Sequence, residues 1–160
     1  MDLRSSMFDL HNYRDILLAF KNHDYHFNLI RSVAEEINNK TVFLRHDIDL
    51  YLFKSEEMAR VEYELNSQST YYVLLTGHYN IFQEENIKIL KKIKDMGHDI
   101  GLHYDLCYFP KSFNEAYQML KWKVEILNKL IGIDIRTITT HQPYQNLPDP
   151  FIKLNDYIST

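Results

Sequence analysis

The sequence predicts an α/β domain in which parallel strands alternate with helices. Three observations favour this class: short apolar segments alternate with amphipathic helical ones, a polar cluster with a histidine follows each predicted strand, and the 160 residues suit one domain. Right-handed crossovers would make the four predicted strands parallel. Their carboxyl ends, where α/β proteins collect their chemistry, would then lie along one edge of the sheet.

The composition is that of an ordinary globular chain, with 45% apolar and 25% charged residues and a net charge of −4. These values exclude a disordered tail, and the mild acidity argues against a nucleic-acid partner. The single cysteine, Cys107, excludes an internal disulfide. No apolar run approaches the ~18 residues of a membrane helix, and the start lacks an apolar signal core. We therefore expect no membrane partner and a cytoplasmic location.

The N-terminal region, residues 1–40, is predicted to be helical because its apolar residues recur at three- and four-residue spacings. The apolar and partly β-branched run 41–44 predicts a buried strand, which ends in the polar segment 45–49. A helix is expected from about 55 to 65, with acidic residues in its first turn, where the helix dipole favours them. The inner face of this helix is expected to carry Met58, Val61 with Ala59, and Leu65.

The middle of the chain continues the alternation. β-Branched and aromatic residues predict a second strand at 70–75. The apolar spacing of 83–96 predicts a helix that Gly97 ends, and a short third strand follows at 99–103.

The most regular helix is predicted to begin after Pro110, with Ser112 and Glu115 as a capping box, and to end at Gly132. Residues 136–140 form the fourth predicted strand. The rest of the chain is expected to be loop, with space for one further short element.

Residues that can bind a metal follow the predicted strands. In chain order they are His46, Asp47 and Asp49, then His78, then His103, Tyr104, Asp105 and Cys107, and finally His141. Zinc and similar ions take imidazole nitrogen and carboxylate oxygen, and a catalytic site keeps one position for water. The pattern therefore predicts a divalent metal site at the strand ends, and zinc is the ion that we expect.

The two aspartates suggest a division of labour. Asp47 and Asp49 are two residues apart, so in an extended strand both would point toward the site. One could bind the metal while the other takes a proton from the bound water, as metal-assisted hydrolysis requires. A structural alternative is that they cap the next helix or bind Arg45.

The other candidates also have structural interpretations. His103 could be a hydrogen-bonded core imidazole, and His141 and His78 could be loop residues. Cys107 could be a small buried side chain. His98 lies at the start of a strand, opposite the chemistry, and is interpreted as structural.

Four segments resemble the polysaccharide deacetylases with NodB homology, carbohydrate esterase family four. GHDIGLH at 97–103 is similar to their "Gly-His-Glu-Ile-Gly-x-His", and STYYV at 69–73 to their "Ala-Thr-Phe-Phe-Val" strand. RHDID at 45–49 stands where the family has "Thr-Phe-Asp-Asp-Gly", and HQPY at 141–144 where it has "Arg-Pro-Pro-Tyr". The order and spacing agree over residues 41–144.

The resemblance implies a distorted (β/α) barrel, incomplete here because such a barrel takes about 250 residues. It also implies metal-dependent removal of acetyl groups from sugars. Asp47 matches the base, Asp49 the metal aspartate displaced by one residue, and His103 the first metal histidine. The family's second metal histidine comes four residues later, where this chain has Cys107.

The remaining roles are assigned to residues at the strand ends and in the loops, because the chain does not match the family's own residues for them. His141 is the candidate third ligand, with Asp105 and Cys107 as alternatives, and His46 or His141 would protonate the leaving amine. The candidates for binding the sugar are His78, Tyr104, Asp105, Tyr108 and Tyr144.

Three functions are open at this point. The first is a metal-dependent hydrolase that removes acetyl groups from an N-acetylated sugar or glycan precursor. The second is an inactive relic or fragment that binds a glycan, a metal or a partner subunit, and the third is hydrolysis of a non-sugar amide on the same scaffold.

We interpret residues 1–160 as one domain, with a helical region 1–40, a core 41–144 and a tail 145–160. The edges of an open barrel would favour a homo-oligomer.

Overall fold

In the computed structural model, the described residues are 9–33, 38–141 and 156–160. The helices are α1 (Leu10–Asn22), α2 (Leu52–Glu64), α3 (Glu84–Asp95) and α4 (Phe113–Ile131). The strands are β1 (His26–Phe27), β2 (Thr41–Val42), β3 (Leu44–Ile48), β4 (Ser69–Leu74), β5 (Asp99–Tyr104), β6 (Thr137–Thr140) and β7 (Ile158–Ser159). Short 3₁₀ helices cover Ile30–Ser32 and Leu106–Tyr108.

The main sheet has parallel strands in the order β3-β4-β5-β6-β7, so each strand lies beside the next one along the chain. Helix α2 connects β3 to β4, α3 connects β4 to β5, and α4 connects β5 to β6. The predicted class, parallel strands alternating with helices, is therefore confirmed. Among the described residues, β3 and β7 each pair with a single neighbour, so these strands do not close into a barrel.

One face of the sheet packs against the helices and forms the apolar core. Alternate side chains of a strand point to opposite faces, so every second residue enters this layer. It includes Val73, Ile100, Leu102 and Ile138 from the strands and Leu90, Ile93, Leu120 and Leu127 from α3 and α4. Removal of these side chains from water is the main stabilising contribution to the fold.

The opposite face of the sheet carries more polar side chains and requires one glycine. Tyr72 on β4 lies beside Gly101 on β5 in the strand register. A Cβ atom at Gly101 would lie 2.4 Å from Cε1 of Tyr72 and 2.6 Å from Oγ1 of Thr137. Only glycine leaves space for the tyrosine ring at this position. The same face carries His103, two residues further along β5.

The N-terminal region differs from the prediction. Of the helical region expected over 1–40, the described residues form α1 and the 3₁₀ turn Ile30–Ser32, and His23 and Asp24 follow α1 in a turn in which Asp24 has a positive φ of 63°. The strand β1 then pairs with β2 in a separate parallel two-stranded sheet. Apolar spacing alone did not distinguish a helix from these short extended pieces.

The first strand of the main sheet also differs, because it begins three residues later than predicted. The run 41–44 forms β2 and the first residue of β3, so Arg45, His46 and Asp47 lie within β3 instead of after it. An edge strand tolerates polar side chains because it has one neighbour and its side chains alternate between faces. Consecutive residues of the polar segment therefore face opposite sides of the sheet.

The later elements follow the predictions closely, with three exceptions. Helix α2 begins at Leu52, three residues earlier than predicted, so its first turn contains no acidic residue. The buried face of α2 consists of Leu52, Ser55, Ala59 and Glu62, so Ala59 is buried as predicted, whereas Met58, Val61 and Leu65 are only partly buried. Ser112 precedes α4, but its side chain makes no capping hydrogen bond to the residues that the structure describes. Gly132 ends α4 with a φ of 74°, a left-handed conformation that glycine adopts readily.

Within the described ranges, none of the helices combines the length and the apolar character that a membrane crossing needs.

Candidate metal centre

Three side chains converge at the carboxyl edge of the sheet. Nε2 of His103 lies 3.1 Å from Nδ1 of His141 and 3.4 Å from Oδ1 of Asp49. Nδ1 of His141 lies 3.5 Å from the same oxygen, which completes a triangle. Ligands at about 2.0–2.1 Å from a tetrahedral ion are themselves roughly 3.3–3.4 Å apart. The triangle therefore has the dimensions of one face of a tetrahedral metal site.

The chemistry of the three atoms also fits a cation. Oδ1 of Asp49 is buried and accepts no hydrogen bond from any described residue, although the rest of its side chain is partly exposed. Nδ1 of His103 lies 3.1 Å from the carbonyl oxygen of Thr139, to which it can donate its proton. The lone pair of Nε2 then points into the triangle. In this tautomer Nε2 of His103 accepts a hydrogen bond from Nδ1 of His141, and a divalent ion that displaced this proton would be bound by all three atoms.

Burial favours the neutral form of the His103 imidazole, which is the form that can bind a metal. Its burial lowers the pKa of the imidazole below the ordinary value, and the nearby carboxylates of Asp47 and Asp49 oppose this change without reversing it. The ring is therefore neutral at neutral pH, which is the form that binds a metal.

The ends of the strands place the other two ligands. Asp49 follows directly after β3, whose end is fixed by the hydroxyl of Tyr79. This hydroxyl donates to the carbonyl of Ile48 at 2.8 Å and accepts from the backbone N–H of Leu74 at 3.0 Å. His141 follows β6, and its backbone N–H donates to the carbonyl of Tyr104 at 2.7 Å. Neighbouring strands are thus held together at the site.

Asp47 lies on the same face as the triangle, as predicted from its spacing to Asp49. Its Oδ2 is 4.0 Å from Nε2 of His103. Both of its carboxylate oxygens accept hydrogen bonds from Arg45, each at 2.8 Å. The arginine alternative considered from the sequence is therefore present, and it fixes the orientation of Asp47 beside the candidate ligands.

A cleft of about 350 Å³ opens over the triangle, a size at the lower end for a small-molecule site. It is lined by Asp49, Leu50, Leu74, Thr76, Gly77, His78, Asp105, Tyr108 and His141. Two predicted substrate-binding residues, His78 and Asp105, therefore line the cleft. Tyr108 also lines it and exposes 61% of its surface.

His46 does not join this site. Its side chain points to the helical face of the sheet, where Nε2 lies 2.6 Å from Oε1 of Glu62. It lines a different cavity, of about 780 Å³, together with Tyr13 of α1. The catalytic role predicted for His46 is not supported by this position, because successive residues of β3 face opposite sides of the sheet.

Tyr104 is likewise absent from the cleft. Only 1% of it is exposed, and it packs in the apolar core beside Phe109. As the neighbour of His103 in β5, it points to the opposite face. Its predicted contact with a sugar is therefore not supported. Tyr144, the remaining candidate for sugar binding, lies outside the described residues.

Two further expectations concern residues near the site. Cys107 is exposed instead of buried, and it does not belong to the group of converging ligands. His98 is buried, with Nε2 2.9 Å from the carbonyl oxygen of Ala59, which agrees with its structural interpretation. Tyr79 and the carbonyl of Thr139 also support the site, and neither was predicted from the sequence. Their roles depend on strand pairing and a loop contact, for which the chain carries no local signal.

Comparison with known proteins adds little to this geometry. No protein-family model and no curated protein matches the chain. Among solved structures, the chain is similar to one described as "Crystal structure of a BA3943 mutant, a CE4 family pseudoenzyme with restored enzymatic activity". The two are 16% identical, with a TM-score of 0.47, and the similarity covers 64% of this chain and 37% of the other. A likeness at this level carries no functional argument.

Proposed function

We propose that the protein is a metal-dependent hydrolase that removes acetyl groups from an N-acetylated sugar. The observation that carries the proposal is the triangle of Asp49, His103 and His141 at the base of an open cleft. A bound divalent ion would supply an acidic water and polarise the carbonyl of the substrate. Its three protein ligands would leave a position open on the side of the cleft.

Asp47 is the proposed general base. Its carboxylate lies beside the ligand triangle, and its orientation is fixed by the two hydrogen bonds from Arg45. The lone pairs that Arg45 does not use remain available to accept a proton from a water molecule at the triangle. General bases contribute about 10²–10⁴-fold to a rate.

The lining of the cleft supports a sugar as the substrate. The imidazole of His78 and the carboxylate of Asp105 can form hydrogen bonds with hydroxyl groups, and the exposed ring of Tyr108 offers a flat surface for stacking. Asp105 also accepts a hydrogen bond from the backbone N–H of Cys107 at 2.9 Å, which holds the loop that carries Tyr108.

The test is acetate release from oligomers of N-acetylglucosamine by zinc-loaded protein. Asp47→Asn is expected to retain zinc and lose at least about 100-fold in kcat. Asp95→Asn, an exposed acid on α3, is the matched control and should behave as the wild type. Zinc binding without acetate release from any acetylated sugar would contradict the proposal, and full activity of Asp47→Asn would remove Asp47 from the role of base.

A second candidate function is metal or glycan binding without turnover. The observation that favours it is the double hydrogen bond from Arg45 to Asp47, which already uses one lone pair on each oxygen of the proposed base. This candidate predicts a bound metal and measurable sugar binding, with no acetate released by the wild type.

A further inference from the structure

Glu62 on α2 is a fully buried charged residue that the proposed reaction does not use. Its Oε1 accepts hydrogen bonds from the hydroxyl of Tyr13 and from Nε2 of His46, the latter at 2.6 Å. Its Oε2 accepts from Oγ of Ser69 at 2.6 Å and from the hydroxyl of Tyr71 at 2.8 Å. These five residues, here called the Glu62 network, connect α1, α2, β3 and β4.

The carboxylate of Glu62 is ionised inside the protein. Burial acts against ionisation, but the hydrogen bond and the electrostatic attraction of His46, with the hydrogen bonds from Ser69 and Tyr13, outweigh it and lower the pKa of Glu62. His98, which directly precedes β5, also faces the carboxylate, with Nδ1 3.5 Å from Oε2. Because well-packed apolar residues often stabilise a core as well as a buried charge does, stability alone does not explain this network.

The network reaches the metal centre through β3. His46 lies in β3 and Asp49 follows its end, and their side chains point to opposite faces of the sheet. Among the described strands, β3 is an edge with β4 as its single neighbour, whereas His103 lies in β5 and His141 follows β6, two strands inside the sheet. Tyr79 fixes the end of β3 at Ile48, and the bond between His46 and Glu62 fixes its middle.

A metal ligand must keep its position to within about 0.5 Å. A small displacement of β3 would carry Oδ1 of Asp49 away from the two histidines, which are held by other strands. We propose that Glu62 is a positioning residue for the metal centre: through His46, it holds β3 in the place where Asp49 meets His103 and His141. This inference rests on the proposed metal site, and it gives His46 a positioning role in place of a catalytic one.

The test compares two variants that each remove one hydrogen-bond donor from Glu62 and keep an aromatic ring. His46→Phe removes the donor on β3, and Tyr71→Phe removes a donor on β4. The measurements are the dissociation constant of Co²⁺, the visible absorption spectrum of the cobalt-loaded protein and the free energy of unfolding without metal. The spectrum reports the ligand geometry, which a loss of stability alone does not change.

We expect His46→Phe to weaken cobalt binding by about 10–100-fold and to alter the spectrum, as changes behind metal ligands do. Tyr71→Phe should bind cobalt as the wild type does, although both variants lower the free energy of unfolding. Equal affinities and spectra for His46→Phe and the wild type, or equal losses in the two variants, would overturn the inference.

Three further outcomes have defined consequences. If His46→Phe does not fold, Glu62→Gln replaces it, and unchanged cobalt affinity in that variant overturns the inference. If the wild type binds no cobalt, both the proposed metal site and this inference fail. If the wild type binds cobalt and the variants match it, the inference alone fails and Tyr79 is sufficient to position β3.

Discussion

The substitution Asp49→Asn should have opposite effects on the metal-free and the metal-bound protein. Without metal, Oδ1 of Asp49 is buried and accepts no hydrogen bond from the described residues. A buried polar atom without a hydrogen bond lowers the free energy of unfolding by about 1–3 kcal/mol. The amide of an asparagine can donate to Nε2 of His103 or Nδ1 of His141, which lie 3.4 and 3.5 Å from that oxygen.

The expected magnitudes follow from these contacts. A new hydrogen bond of this kind contributes about 1 kcal/mol, so metal-free Asp49→Asn should melt about 2–4 °C above the wild type. Zinc at about 100 times its Kd stabilises the wild type by about 2.7 kcal/mol, equivalent to roughly 5–11 °C. The variant lacks the carboxylate ligand and should lose most of this zinc-dependent rise.

Differential scanning calorimetry with a chelator and then with added zinc measures both effects in the same samples. Asp95→Asn serves as the control for the loss of one negative charge, and it should follow the wild type in both conditions. The reasoning is refuted if Asp49→Asn responds to zinc as strongly as the wild type, or if the variant is less stable than the wild type in the chelator.

Three further substitutions test separate parts of the account. Gly101→Ala should lower the free energy of unfolding in urea by about 1–3 kcal/mol, because its Cβ would lie 2.4 Å from the ring of Tyr72; unchanged stability would contradict this. Burial lowers the pKa of His98, so the unfolded chain binds a proton at a higher pH than the folded protein does. The free energy of unfolding of the wild type should therefore decrease as the pH falls below about 6.5. His98→Gln should make this decrease smaller in denaturation measured at several pH values. Cys107→Ser should leave the zinc content unchanged by elemental analysis, because the cysteine is outside the ligand triangle; loss of zinc would restore it as a ligand.

The elements with strong periodicity were predictable from the sequence. Helices α3 and α4 and strands β4 and β5 lie within a residue or two of their predicted bounds, because each combines a regular apolar spacing with a clear stop such as Gly132. The meeting of His103 and His141 with Asp49 was also predictable, because parallel strands bring their carboxyl ends to one edge.

The direction of individual side chains was the main source of error. His46 and Tyr104 adjoin site residues in the chain, and adjacent residues of a strand face opposite sides of the sheet. The alternation rule excludes Tyr104 from the cleft once His103 is assigned to it. For His46, the rule could be applied only once the bounds of β3 were known. The prediction placed this residue after the strand, whereas the structure places it inside β3.

Glu62 shows what local patterns cannot predict. Its position one turn after Ala59 lies on the buried face of α2, but a glutamate on a helix is normally exposed. Its burial depends on donors from three other elements, the residues Tyr13, His46, Ser69 and Tyr71. Such a network exists only after the strands and helices have packed, so no spacing in the sequence indicates it.

The metal content of the purified and zinc-reconstituted protein tests the central claim most directly. The account predicts about one zinc ion per chain in the wild type and in His78→Ala, which changes the cleft without removing a ligand, and none in His103→Ala. Circular dichroism would verify that all three proteins are folded. A folded wild type without zinc after reconstitution, or a His103→Ala variant that retains it, would contradict the assignment of Asp49, His103 and His141 as a metal centre.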